Sequence, residues 1–313
     1  MLSKKEQAWV AAKIERTVSH IIDAGEIQEK PDPNRSLFLR PSGFSYCPLR
    51  TWLQLPTAFS KRKKVDAAFA FYVRVGTVIH EVMQEALQTN GEFVADWLCL
   101  DCKHRHILKP PVTECQNCGS RKMKRCEHSI ALGSLRGHVD EIFRYKPGKE
   151  WAHIPIDYKS TSKAALARKT APDKEHVEQL TSYGVALTKH FYVAGALIVY
   201  IVRDNPRVCK AFFVPINDQI VEDTVKTWRE YHKKHVRMLK IETEAQALEM
   251  VEERPCKTKE RQLAFCSRCS LSGLCLGDAQ VLRDRAVSVL HTLRAKKKIP
   301  LYDIYRQLTE KKE

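Results

Sequence analysis

No stretch of the 313-residue chain is apolar for long enough to cross a bilayer as a helix. The opening residues, Met1-Leu2-Ser3-Lys4-Lys5-Glu6-Gln7, have no apolar signal core, so a cytoplasmic location is expected. A phosphate-binding loop of the Gly-x4-Gly-Lys-Ser/Thr type is missing, which excludes a nucleotide-driven motor of that kind. Long internal repeats and extended low-complexity tracts are absent too. A disulfide framework is not expected, because thiols stay reduced in the cytoplasm.

What is present is a globular composition, 43% hydrophobic and 29% charged, in a length that suits one large domain or a core with attachments. The net charge is +16, and the pI is about 9.4. A polyanion partner follows: DNA, RNA or an acidic membrane face. Nucleic acid is favoured, because the charge accompanies a candidate phosphate-cleaving site. The 11 cysteines are grouped: Cys47; Cys99, Cys102, Cys115 and Cys118 with Cys126; Cys209; Cys256; then Cys266, Cys269 and Cys275. Two metal centres are suggested.

Hydrophobic spacing predicts helices over 4–24, 67–90, 174–189, 217–240 and 243–252. Strands are predicted over 134–145, 151–160, 195–203 and 207–215. A short helix opens near Pro48, and the basic end, 278–313, reads as helical up to Pro300. Residues 99–126 show almost no periodicity and read as an inserted module. Helix, strands, helix, strands in that order indicates an α/β sandwich with a mixed sheet.

Asp157 and Lys159 are two apart on a predicted strand and so share a face, while Ile154, Ile156 and Tyr158 take the other. Asp140 sits on the preceding strand, and pairing across the turn can bring the two carboxylates together. Left alone they would repel and raise each other's pKa; a divalent cation removes the conflict. His80 lies on the 67–90 helix, and Gln179 and Tyr183 are four apart on another.

Gly137-His138-Val139-Asp140, Asp157-Tyr158-Lys159, His80 and Gln179-x3-Tyr183 together resemble the RecB-like branch of the PD-(D/E)XK nuclease superfamily. The resemblance implies a restriction-endonuclease-like core, a mixed central sheet flanked by helices. It implies that His80, Asp140, Asp157 and the Tyr158 backbone carbonyl bind Mg²⁺ or Mn²⁺. Lys159 would be the catalytic lysine, and Gln179 and Tyr183 would contact DNA or brace the site.

Cys266-x2-Cys269-x5-Cys275 places three thiols in one compact segment, and Cys47 or Cys256 could be the fourth. Four cysteines could hold zinc or an iron–sulfur cluster. Resemblance to the iron–sulfur nucleases, which include the AddB nuclease domain and exonucleases linked to CRISPR adaptation, favours a 4Fe–4S cluster on Cys47, Cys266, Cys269 and Cys275. Cys99-x2-Cys102-x12-Cys115-x2-Cys118 with Gly119 reads as a zinc ribbon holding Zn²⁺. Cys126 and His128 could exchange into it. Its flanks carry Lys103, His104, Arg105, His106, Lys109, Arg121, Lys122, Lys124 and Arg125, which could guide DNA.

The expected organisation is an N-terminal helical segment 1–35, a nuclease domain 36–280 interrupted by the ribbon at 97–128, and a basic tail 281–313. The expected activity is metal-dependent trimming of single-stranded DNA ends, leaning to 5′-to-3′. A structure-specific endonuclease and a non-catalytic DNA-binding assembly factor are the alternatives. Any unwinding would come from a helicase or from a recombination or adaptation partner.

Overall fold

The computed structural model of the protein describes residues 2–21, 37–41, 47–58, 67–87, 89–132, 135–253, 271–296 and 301–310. The elements are α1 (Lys4–Ile21), α2 (Pro48–Ala58), α3 (Ala67–Ala86), β1 (Phe93–Cys99), β2 (Arg105–Lys109), β3 (Met123–Cys126), β4 (His128–Leu132), β5 (Leu135–Val139), β6 (Glu141–Tyr145) and β7 (Ala152–Thr161). There follow α4 (Lys163–Ala167), α5 (Lys174–Leu187), β8 (Gly195–Val202), β9 (Cys209–Pro215), α6 (Asp218–Leu239), α7 (Glu244–Glu252), α8 (Ser272–Leu276), α9 (Ala279–Ala295) and α10 (Leu301–Glu310). No described helix is long and apolar enough to cross a membrane. The chain divides into two compact units. The first comprises Met1–Lys30, Val65–Leu132 and Arg136–Val225; the second comprises Pro31–Lys64, Gly133–Leu135 and Lys226–Glu313.

The first unit is built on a mixed sheet in the order β2-β1-β6-β7-β8-β9, with β3 also paired to β1. β7 and β8 are parallel, with Lys159 beside Tyr200. Parallel neighbours need a crossover, and α4 and α5 supply it. Strand alternation then sorts the side chains of β7. Ile154, Ile156 and Tyr158 enter a core with Val10 and Ile14 of α1, Ile79 and Met83 of α3, and Leu197, Val199 and Ile201 of β8. Asp157 and Lys159 take the other face, against α5. Every residue of β8 is buried, as expected of a strand covered on both sides.

Two sequence expectations change. The strand predicted over 134–145 is two strands broken at Asp140. β5 pairs with β4 in a small separate sheet, and β6 joins the main one. Burial alternates along β5 but not along β6, where Glu141, Ile142 and Phe143 are all buried. The inserted module also contains β2 and β3, and β1 leads into it. In β2, His106 and Leu108 point inward while Arg105, Ile107 and Lys109 point outward. An inward histidine beside an outward isoleucine conceals the period of two.

The second unit packs α2, α7, α9 and α10 around Leu49, Trp52, Val251, Leu282, Leu290, Leu293 and Tyr305. The helical reading of the C-terminal stretch continues past Pro300, because α10 begins at Leu301. His235 is fully buried in this unit and donates from Nε2 to the Leu37 carbonyl at 2.9 Å. Burial pushes its pKa down to about 4, against the pull of that hydrogen bond. The folded protein thus keeps His235 neutral where the unfolded chain would take up a proton. The stability it contributes is complete above about pH 6.5 and is lost as pH falls from there toward 4. Melting temperatures should fall across that window in the wild type and fall less in His235→Gln. Equal slopes would assign the pH dependence to other groups.

Candidate active site and four-cysteine centre

The ladder between β6 and β7 starts at Glu141 opposite Ile156, so the β6-side edge of β7 is open beyond that pair. Asp140, at the break before β6, closes part of the gap: its Oδ2 accepts the Tyr158 N–H at 2.9 Å. A strand residue presents its N–H and C=O to the same edge, so the Tyr158 carbonyl shares this opening with Asp140. His80 arrives from α3, with Nδ1 3.2 Å from Asp140 Oδ1. From the other face, Lys159 Nζ lies 2.7 Å from Asp157 Oδ2 and donates to Gln179 Oε1 at 2.9 Å. Gln179 Nε2 donates to Asp157 Oδ1 at 3.0 Å and to the Tyr183 hydroxyl at 2.9 Å. An ammonium only donates and a carboxylate only accepts, so these partners fix the orientation of the Gln179 amide.

The six residues singled out in the sequence form two bonded groups, His80 with Asp140 and Asp157 with Lys159, Gln179 and Tyr183, which meet at Tyr158, whose N–H Asp140 accepts. Gln179 and Tyr183 are buried within this site.

Its electrostatics are balanced but strained. Burial pushes Asp157 up to about 6, the Asp140 charge adds to the rise, and Lys159 opposes it. Burial would raise Asp140 too, but the His80 charge and the hydrogen bonds from His80 and Tyr158 hold it below the usual range. Burial would lower His80, yet the Asp140 carboxylate, helped by Asp157, lifts it to about 9. Asp157 Oδ2 is buried and faces the Lys159 ammonium at 2.7 Å. Together with Asp140, a backbone carbonyl and an imidazole it makes a hard, mainly oxygen donor set, which fits Mg²⁺ or Mn²⁺.

The second arrangement is the module between α3 and the β6–β7 hairpin. The sulfurs of Cys99, Cys102, Cys115 and Cys118 all lie within 4.8 Å of one another. The Cys99–Cys118 and Cys102–Cys115 separations are both 3.6 Å. Four thiolates around one tetrahedral zinc stand about 3.8 Å apart. The two knuckles repeat one backbone pattern. Lys103 N–H bonds to Cys99 O and Cys99 N–H to His104 O; Gly119 N–H bonds to Cys115 O and Cys115 N–H to Ser120 O. The residue after each second cysteine is left-handed, Gly119 at φ 71° and Lys103 at φ 63°. Glycine takes that conformation freely and lysine does not, so the sequence flagged this turn only at the second knuckle.

The thiols also pull apart electrostatically. The His104 N–H and the Asn117 side chain lower Cys102 to about 6. Cys118 rises to about 12: the Ser120 N–H would lower it, but its sulfur neighbours, Cys102 first, outweigh that. Four adjacent thiolates need a cation, and this centre can hold a metal ion. Cys126 Sγ bonds to the Lys124 carbonyl and His128 Nδ1 to Asp96, so neither belongs to the group.

The basic flank is less uniform than the sequence suggests. Arg105 pairs with buried Asp96 at 2.8 Å, and His106 is buried. The Arg125 side chain is buried as well, in a bidentate pair with Glu141, one bond being 2.8 Å. Lys103, Lys109, Arg121, Lys122 and Lys124 remain exposed. The Arg125–Glu141 pair has no signature in the sequence, because neither residue lies in a motif.

Cys47 and Cys275 both pack in the second unit. Cys47 heads α2, where its sulfur accepts the Arg50 N–H at 3.4 Å. Cys256, Cys266 and Cys269 lie outside the described residues.

A mixed sheet flanked by helices, with Asp on one strand and Asp-x-Lys on the next, is the framework of the PD-(D/E)XK nucleases. The sequence model of the PD-(D/E)XK nuclease superfamily matches residues 40–276, and the chain belongs to that superfamily. Its members are phosphodiester hydrolases that use divalent metals and act on DNA. No curated protein sequence matches the chain significantly. Among solved structures, "Crystal structure of SSO0001" aligns with 70% of this chain and 86% of its own at 15% identity. With a TM-score of 0.34, that likeness carries no argument.

Proposed function

We propose that this protein is a RecB-like deoxyribonuclease of the iron–sulfur type that trims single-stranded DNA ends, 5′-to-3′. The observation that carries the reading is the gathering about β7 of Asp140, held by the Tyr158 N–H and against His80, and of Asp157, Lys159 and Gln179, bonded to one another. His80, Asp140, Asp157 and the Tyr158 carbonyl would hold Mg²⁺ or Mn²⁺. The ion supplies Lewis-acid polarisation of a phosphoryl oxygen and a more acidic water. Lys159 stabilises charge developing on the scissile phosphate, since its ammonium is already held at the site by Asp157 and Gln179. Gln179 and Tyr183 keep Asp157 and Lys159 in place. The net charge of +16 supports a polyanionic substrate.

The four-cysteine module is a zinc ribbon spanning 97–128 within a nuclease domain of 36–280. A 4Fe–4S cluster on Cys47, Cys266, Cys269 and Cys275 staples that domain, between an N-terminal helical segment (1–35) and a basic tail (281–313). Strand unwinding falls to a partner, such as a helicase or a recombination or adaptation protein, in the cytoplasm. Protein purified without oxygen should hold about four irons per chain beside its zinc. Cys47→Ser or Cys275→Ser should bleach it. A colourless protein with two zincs would contradict the cluster.

Single-stranded DNA labelled at either end tests the activity. Stepwise release of label from the 5′ end is expected. Cuts confined to branch points would favour a structure-specific endonuclease.

A further inference from the structure

The segment leaving the four-cysteine module is fastened to two of the three elements that bring cation ligands to the active site, α3 and β6. Arg125 of β3 forms its bidentate pair with Glu141, the neighbour of Asp140. Side-chain exposure is 5% for Arg125 and 0% for Glu141, so solvent does not loosen the pair. Two residues on, Glu127 Oε1 accepts from Gln84 Nε2 at 2.7 Å. Gln84 lies four residues after His80 on α3, on the same helical face. The backbone supports the same link. β1 pairs with β6 at Phe93 and Val94, with β3 from Asp96 onward, and ends at Cys99, the first thiol of the module. From Val94 to Cys99 the strand rises about 17 Å.

We propose that Arg125 and Glu127 are positioning residues for the active-site cation. They fix β6 and α3, and so the approach of Asp140 to His80, and they tie that approach to the folded, metal-loaded module. The inference rests on the assignment of the cation to His80, Asp140 and Asp157. Stability alone does not account for the pair, since an apolar pair of similar volume commonly serves a buried site as well. What a bidentate pair adds is geometry: two parallel hydrogen bonds set the spacing and orientation of the strands that carry them. Groups that orient metal ligands from behind typically change metal affinity by about 10–100-fold when removed.

The test is Mn²⁺ binding to the full-length, zinc-loaded protein, read from the electron paramagnetic resonance of free Mn²⁺. The wild type should show a site that Asp157→Ala removes. Arg125→Met/Glu141→Leu should bind Mn²⁺ at that site at least roughly tenfold more weakly while retaining its zinc. Cleavage by this variant should recover at saturating Mn²⁺, a rise in the metal requirement rather than a fall in the maximal rate. Glu127 is partly exposed, so its variants probe the link without a packing defect. Glu127→Ala should weaken Mn²⁺ binding, and Glu127→Gln, which keeps an acceptor for Gln84, should restore it. Wild-type affinity in Glu127→Ala and in the double variant would overturn the proposal. A Mn²⁺ site that survives Asp157→Ala would overturn the cation assignment beneath it, and the proposal with it.

Discussion

Lys159→Ala should lower DNA cleavage at least about a thousandfold and change DNA affinity only a few-fold. The large effect follows from where Lys159 sits. Among the described residues of the site it is the only cation other than His80, and its ammonium lies 2.7 Å from Asp157 Oδ2. Truncation removes charge stabilisation at the phosphate and leaves two buried carboxylates less balanced. Affinity persists because it rests on many cationic side chains spread over a chain of charge +16. Asp157→Ala should be at least as damaging. Gln179→Ala should cost less, about 10–100-fold, because its amide orients Asp157 and Lys159 without reaching the phosphate. Single-turnover rates at saturating DNA, beside binding isotherms, separate the two quantities. A well-folded Lys159→Ala enzyme with a wild-type rate would remove Lys159 from the chemistry.

Lys109→Ala/Arg121→Ala/Lys124→Ala should bind single-stranded DNA about 10–100-fold more weakly near 0.1 M salt, with a salt slope about two units shallower. These three side chains are exposed on the four-cysteine module. Each single-strand phosphate that a variant leaves un-neutralised takes about 0.7 off the slope. The maximal cleavage rate should be unchanged, because the triple variant leaves both the active-site network and the Arg125–Glu141 pair intact. Unchanged affinity and slope would mean that the module does not guide DNA and serves a docking or structural role. Arg105, His106 and Arg125 should contribute nothing to the slope, since they are paired or buried within the protein.

The central motifs were legible because their chemistry is local in sequence. Asp157 and Lys159 share a face by strand alternation, and Gln179 and Tyr183 share one by helical spacing, whatever surrounds them. The cysteine knuckles were legible for the same reason. What sequence concealed depends on pairing between distant segments. The break at Asp140 lies inside a stretch read as one strand, and the register of β6 on β7 reveals the open edge it helps to form. β2 is masked by its composition, and Lys103 in a left-handed conformation has no residue signature. Arg125 looked like one more solvated cation in a basic cluster. Its burial follows from β3 lying along β1 next to β6, a tertiary relation that no periodicity encodes.

The most direct test of the account is DNA cleavage by the purified wild-type protein with Mg²⁺ or Mn²⁺, with chelator, and by Asp157→Ala under the same conditions. Product should form only in the wild type with added cation. Cleavage that continues in chelator, or in a folded Asp157→Ala protein, would contradict a metal-dependent nuclease centred on Asp140, Asp157 and Lys159.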